Sequence, residues 1–270
     1  MPIRAVTFDL WLTLIWDSRE LEEYRKLRRL VNFYRYAIKF AKDNGNGFDF
    51  NRVRLALEEL EVRVKRLYDR GLDVHPDDRG RMLFDILKIR LPKGEDDARK
   101  IYERAGEILS NSGYRTRFPN VNPEAKPTLQ ALREENPKLK IGLVSNAARS
   151  SATYRRMLRA FDIYDYFDDL TISCEVGFLK PRREIFDRAL KSLGVRPSEA
   201  LHVGDLFRAD IVGAVSLGMN ASLYTGLWHR YAPYMMPGEH IPKSFFKSRA
   251  ALVTEISNLM DVVRLVRKIP

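Results

Sequence analysis

One apolar run, Ile3 to Phe8, stands cut off from every other strand-like stretch of the chain. It is broken only by Arg4 and Thr7 and is short enough to be a buried strand. From Ser18 to Arg117 the chain carries helical periodicity alone, and strand patterns resume only after Phe118-Pro119-Asn120. There the chain alternates. Leu139 to Val144, Leu170 to Ser173, Ala200 to Val203 and Ala221 to Tyr224 read as strands. Helices are expected from Asn122-Pro123-Glu124 to about Glu135, over Ala148 to Ala160, Arg182 to Leu193 and Ala209 to Leu217, and last from about Ala250 to Val266. A repeated strand-helix order argues for an α/β protein with a parallel sheet and helices on both faces. The helical stretch is then an insertion. The expected organisation is a core of residues 1–17 and 118–270 interrupted by an all-α four-helix domain at 18–117.

Within the insertion, Ser18 is placed to cap a helix with Glu20, Glu22 and Glu23 in its first turns. Leu21, Tyr24, Leu27, Val31, Tyr34 and Ile38 form its apolar stripe, and Asp43-Asn44-Gly45-Asn46-Gly47 ends it. A second helix carries Val53, Leu57, Leu60, Val64 and Leu67 and stops at Gly71. His75-Pro76-Asp77-Asp78 opens a third, closed by Pro92 and Gly94, and Glu95-Asp96-Asp97 opens a fourth that ends by Gly113. Trp228 to Phe246, rich in Tyr, Pro and Met, reads as a loop suited to packing or an interface.

Composition narrows the function classes. With 45% hydrophobic and 31% charged residues over 270 positions, the chain reads as globular rather than disordered. No apolar stretch approaches membrane-spanning length and no signal-peptide pattern opens the chain, so a cytoplasmic protein is expected. The single cysteine, Cys174, excludes an internal disulfide and a cysteine-based zinc site. A net charge of +11 favours anionic ligands, yet acids and bases interleave along the helices, which points away from a specific nucleic-acid surface. Abundant Arg, Lys and Glu with one glutamine resemble thermophile usage. The oligomeric state is not legible.

Four polar features fall at expected strand ends, where ligands bind in open α/β sheets. Asp9 follows the first strand. Ser145-Asn146 follows another. Lys180 precedes a helix, and Gly204-Asp205-Leu206-Phe207-Arg208-Ala209-Asp210 sets two carboxylates five residues apart, a spacing that can bring both towards one hard cation. Each alone has an ordinary reading as a turn residue, a helix flank or an N-terminal acid.

Together and in this order, Asp9, Ser145, Lys180 and the Asp205/Asp210 pair resemble the four motifs of the haloacid dehalogenase superfamily of hydrolases. The resemblance implies a Rossmann-like sheet and makes the helical insertion its cap domain. It implies a Mg²⁺-dependent phosphatase acting on a small phosphorylated metabolite through an aspartyl-phosphate. Asp9 is then the nucleophile and, with Lys180, catalytic; Thr13, Ser145, Asn146 and Lys180 hold the phosphoryl group; Asp9, the Trp11 carbonyl, Asp205 and Asp210 serve the metal. One departure stands out. The family's phosphatases carry a second Asp, an acid and base, where this chain has Trp11, and a glycine where it has Leu12. An indole N–H cannot accept a proton. The expected turnover is therefore slow or restricted to good leaving groups. A bulky aromatic there also resembles the family's 2-haloacid dehalogenases, and a weakly active anion- or partner-binding member is the third reading. Arg19, Arg25, His75 and Arg117 are candidates to face a substrate from the insertion, and Trp11 and Trp16 to line its pocket.

Overall fold

In the computed structural model the described residues are 2–41, 48–91, 94–114, 117–227, 242 and 251–269. The first strand, β1 (Ala5–Phe8), lies at the centre of a six-stranded sheet with β4 (Lys140–Ser145) on one side and β6 (Ala200–Gly204) on the other. β5 (Asp169–Ile172) completes one edge; β7 (Asn220–Tyr224) and β8 (Val253–Ile256) complete the other, in the order β5-β4-β1-β6-β7-β8. Every pairing is parallel.

Alternation along the strands divides the core into two layers. Val6 and Phe8 of β1, with Ile141 and Leu143 of β4, pack against α5 (Ala125–Glu135), α6 (Ser151–Ala160) and the last helix, α10 (Asp261–Lys268). Ala5 and Val144 point the other way, onto α8 (Arg183–Leu193) and α9 (Gly213–Ser216). A short helix, α7 (Ser173–Val176), follows β5 and buries Cys174 in the first layer. Burial lifts the pKa of that thiol to about 12. It is a core residue, and an inert one.

The C-terminal part corrects the expectation of one helix from Ala250 to Val266. Residues Val253–Ile256 are a strand, and the helix begins only at Asp261. Apolar residues at 253, 256, 259, 262 and 263 share a helical spacing, but the open edge of β7 offers ladder partners that outweigh it, in the register Ala221 to Val253 through Tyr224 to Ile256. Asn258 makes the break, its carbonyl and side chain accepting from the Asp261 and Met260 amides. The expected stop at Asp43 to Gly47, Pro92 and nearly all of the 228–246 loop lie outside the described residues.

The insertion consists of α1 (Arg19–Ala41), α2 (Phe50–Tyr68), α3 (Pro76–Leu87) and α4 (Glu95–Asn111) around a core of their own that includes Phe33, Val53, Leu60, Val64, Leu83, Phe84 and Leu109. Phe84 sits edge-to-face against Phe33, Phe40 and Tyr102. The Ser18 hydroxyl accepts from the Leu21 amide, as its capping position requires. The two chain crossings pair as short strands, β2 (Ile15–Trp16) and β3 (Asn120–Val121). Buried Arg25 ties them, bridging the Asp17 carboxylate and, at 3.1 Å, the Arg117 carbonyl. A second attachment lies nearer Lys180. The Asp73 amide donates to the Gly177 carbonyl and the Leu179 amide to that of Gly71, both at 3.0 Å.

Candidate active site

Parallel pairing brings the carboxyl ends of β4, β1 and β6 side by side, and the polar residues extend from there. Asp9 continues β1, its amide donating to the Val203 carbonyl at 2.8 Å. Asp205 follows the last residue of β6, and Ser145 ends β4. Asp9, Lys180, Asp205 and Asp210 are only 6%, 5%, 3% and 1% exposed, so each charge must be answered within the protein.

Lys180 answers two of them. Its Nζ donates to Asp9 Oδ1 and to Asp210 Oδ1, each at 2.6 Å. Burial opposes the ammonium charge, but Asp210 and Asp9 outweigh it and hold the lysine above its ordinary pKa. Burial likewise opposes ionisation of Asp210, and there Lys180 and His202 win, keeping that carboxyl well below the usual range. Asp9 has fewer helpers. Burial, with the Asp210 charge adding to it, lifts Asp9 to about 6 against the pull of Lys180.

His202 extends the chain of contacts into the sheet. Its Nε2 lies 2.9 Å from Asp210 Oδ1 and its Nδ1 2.9 Å from Thr7 Oγ1. Burial depresses its pKa, so the ring is neutral. An ionised Asp210 can only accept, which places the proton on Nε2 and leaves Nδ1 to accept from the Thr7 hydroxyl. Sequence reasoning passed over His202. Its signal was a lone polar side chain inside the apolar run Ala200 to Val203, two residues before Gly204.

Asp210 reaches this position because Phe207–Val212 is wound as a π-helix, a local widening often found at functional sites. Its other oxygen, Oδ2, accepts from the Leu206 amide at 2.9 Å. Gly204 makes the approach possible: a Cβ there would overlap the Asp210 carboxyl. With both oxygens engaged, Asp210 stands as the partner of Lys180. Among the described residues no three His, Cys, Asp or Glu side chains group closely enough to hold a metal by themselves.

Asn146 also differs from its expected part. Its amide oxygen accepts from the Lys180 amide at 2.7 Å, and its Nδ2 donates to the Lys180 carbonyl at 3.0 Å. A carboxamide matches the edge of a peptide unit, so this side chain fixes the lysine's backbone. Two hydroxyls behave differently. Ser145 Oγ and Thr13 Oγ1 are buried and have no hydrogen-bond partner among the described residues. A buried hydroxyl without a partner is costly and points to a ligand that completes it.

The turn after Asp9 is closed by Ile15 N–H donating to the Leu10 carbonyl and Leu12 N–H donating to that of Ile15. Neither bond uses the Trp11 carbonyl. Leu12 stands where the resemblance expects glycine, and it keeps the left-handed backbone with φ 56°. Trp11 is partly buried, with the Arg149 guanidinium 5.8 Å from its ring centre. Of the candidates on the insertion, Arg19 is paired with Glu23 on the surface, and His75 caps α3 by accepting from the Asp77 amide. Arg25 holds the crossings, and Arg117 lies over the Tyr24 ring.

A parallel sheet that presents a buried acid-lysine pair at its carboxyl edge, with a helical insertion after the first strand, defines a class of α/β enzymes. A model of the family described as haloacid dehalogenase-like hydrolase matches residues 3–218, and the chain belongs to that family. It is 32% identical over 217 residues to the glyceraldehyde 3-phosphate phosphatase of Methanopyrus kandleri, covering 80% of this chain and 82% of that protein. With the enzyme of the same name from Pyrococcus furiosus it shares 28% identity over 261 residues, 97% and 93% of the two chains. Among solved structures, a 2-haloacid dehalogenase from Pseudomonas syringae superposes with a TM-score of 0.62 at 21% identity, over 98% of this chain and 99% of that one. At that identity the likeness shows the fold. No helix among the described residues is long and apolar enough to cross a membrane.

Proposed function

We propose that the protein is a phosphatase acting on a small phosphorylated metabolite, with Asp9 as nucleophile and residues 18–117 as a cap over the sheet edge. The reading rests on two buried hydroxyls without a partner among the described residues, Thr13 Oγ1 on the loop that also carries Asp9 and Ser145 Oγ at the end of β4, next to the Asn146 that holds the Lys180 backbone. Hydroxyl donors and an ammonium suit phosphoryl oxygens, on which charge accumulates during transfer. The phosphatase names of the Methanopyrus and Pyrococcus relatives support the same class of reaction.

In the proposed sequence the ionised Asp9 carboxylate attacks phosphorus, the ester P–O bond breaks, and the departing oxygen takes its proton from solvent. Water then cleaves the aspartyl-phosphate, releasing inorganic phosphate and restoring Asp9. Trp11 offers no carboxyl group to either step, so esters with good leaving groups turn over fastest. Lys180, held through its backbone by Asn146 and through its ammonium by Asp210, binds the phosphoryl group and offsets its charge.

The donor set fits Mg²⁺. Asp9 and Asp205 are buried carboxylates at the ends of adjacent strands, and the Trp11 carbonyl is outside the bonds that close its turn. Magnesium is commonly bound through one or two carboxylates together with water and a substrate phosphate. These three groups would hold the ion, which when bound supplies positive charge to the phosphoryl oxygens.

The deciding assay is release of nitrophenol from p-nitrophenyl phosphate with and without Mg²⁺. Metal-dependent release, lost by about four orders of magnitude in Asp9→Asn, is expected. Turnover that survives the substitution removes Asp9 as nucleophile. Metal-independent halide release from a 2-haloacid would replace this reading with a dehalogenase, and inactivity in both assays would leave an anion-binding member of the family.

A further inference from the structure

Beside the sheet edge lies a cavity of about 460 Å³, where α1, α2 and α4 face the loop after β4. Leu57, Leu60, Val64 and Leu109 make the apolar part of its helical wall, which also carries Glu61 and Tyr68, and the core contributes Ala148 and Arg149. The size falls within the range of small-molecule sites. Four cations line it, and three have carboxylate partners. Arg79 is paired with Asp73 at 2.7 Å, Lys65 with Asp69 at 2.9 Å and Arg29 with Glu61 at 3.4 Å.

Arg149 is the exception. Its Nε donates to the Ser110 carbonyl at 2.9 Å and its Nη1 to the Tyr154 hydroxyl at 3.4 Å. Among the described residues no carboxylate pairs with it, and Nη2 has no hydrogen-bond partner. The guanidinium lies 4.1 Å from the Tyr114 ring centre, and the same ring takes Arg25 at 3.8 Å. Two guanidinium groups on one ring repel each other, and only Arg25 has an acid, Asp17, to offset this. An arginine stays charged under any ordinary condition. Arg149 is half-buried, and a cation partly withdrawn from water with no counter-charge favours an anion beside it.

Arg149 is also close to the reaction site. It comes three residues after Asn146 on the loop that follows Ser145, and its guanidinium lies 5.8 Å from the ring centre of Trp11, two residues beyond Asp9. We infer that the Arg149 cavity binds a second anionic group of the substrate, so that the preferred substrates are small organic phosphates carrying a carboxylate at the end remote from the phosphate. This rests on the phosphatase reading for the position of the phosphate. The forked guanidinium takes the carboxylate, and the leucine wall takes the intervening carbons.

The test compares 3-phosphoglycerate with glycerol 1-phosphate, which differ at the far end by the carboxylate. The wild type is expected to prefer the carboxylate ester by about tenfold or more in kcat/KM, chiefly through KM, as suits a hydrogen bond to a charged group. Arg149→Met should bring the ratio close to one, and Arg149→Lys should restore part of it. Equal use of the two esters by the wild type, or a preference that survives Arg149→Met, overturns the inference. Should neither ester turn over, the phosphatase reading is what fails, and binding decides this one. Calorimetry with 3-phosphonopropionate and propylphosphonate should then show tighter binding of the carboxylate compound that Arg149→Met abolishes; equal affinities overturn it. Should the methionine variant fail to fold, the wild-type preference and the lysine variant carry the same decision.

Discussion

The sheet edge and the helical insertion use charge in opposite ways. On the insertion, acids and bases pair one helical turn apart on exposed faces, as in Glu22 with Lys26, Glu58 with Arg54 and Glu59 with Arg63. At the sheet edge one lysine, two aspartates and a neutral histidine form a single buried chain from Thr7 to Asp9. The first arrangement keeps a helix soluble and can be exchanged piecemeal. The second has no solvent to replace a missing partner, so every member depends on the others. The chain's 47 lysines and arginines therefore say little about function in bulk. Burial and partners separate the few that matter.

The largest effect should come from removing the cation at the sheet edge. Lys180→Met leaves Asp9 and Asp210 buried without their shared partner, a change expected to cost about 3 to 5 kcal/mol. Urea denaturation of wild type and variant measures it, and phosphatase activity should vanish in the same protein. A loss below about 1 kcal/mol would mean that the buried chain tolerates a gap as readily as the surface does, and the contrast between the regions would break.

Next in size is Gly204→Ala. The added methyl overlaps the Asp210 carboxyl, and overpacking of this kind typically costs about 1 to 3 kcal/mol. Because the displaced group is the partner of Lys180, activity should fall along with stability. A variant that loses stability but keeps its kcat would show that Asp210 is structural alone.

The uneven legibility of the sequence has the same physical origin. The strand-end positions of Asp9, Ser145 and Asp205 could be read because strand ends in a parallel sheet are few, whereas the part Asp210 plays turned on its contact with Lys180. His202 was hidden because a polar residue within a strand gives no sign of its partner until the sheet is assembled. Arg149 was hidden among many cations, since only the folded chain reveals which guanidinium faces a cavity with no acid paired to it among the described residues. β8 departs from the helical expectation for a related reason: an edge strand is stabilised by its neighbour, and the residues 253–256 alone carry a helical spacing. The role of Asn146 turned on a contact 34 residues away, with the Lys180 main chain.

Leu12 gives a smaller and more pointed test of the turn after Asp9. Its left-handed backbone is disfavoured for a residue with a Cβ by about 1 to 2 kcal/mol, while its side chain packs against Trp16 and Leu206. Both Leu12→Ala and Leu12→Gly remove that packing, but only glycine relieves the backbone. The glycine variant should therefore be the more stable of the two by about 1 kcal/mol, the reverse of their order in a helix. Equal stabilities would mean that the turn relaxes when its side chain is cut, and that its shape depends on Leu12 rather than on the bonds of Leu12 and Ile15.

The smallest effect belongs to the exposed face of the insertion. Arg63 and Glu59 lie one turn apart on α2, and their side chains are 45% and 51% exposed. Solvent screens their attraction, and holding two long side chains in one geometry offsets part of what remains. Glu59→Gln should shift the unfolding free energy by no more than about 0.5 kcal/mol, and the difference should shrink as salt is added. A loss comparable to that of Lys180→Met would mean that exposed pairs on the insertion hold the protein together as firmly as the buried chain does. A negligible loss, set beside a large one at position 180, ties the role of each charge to its access to water.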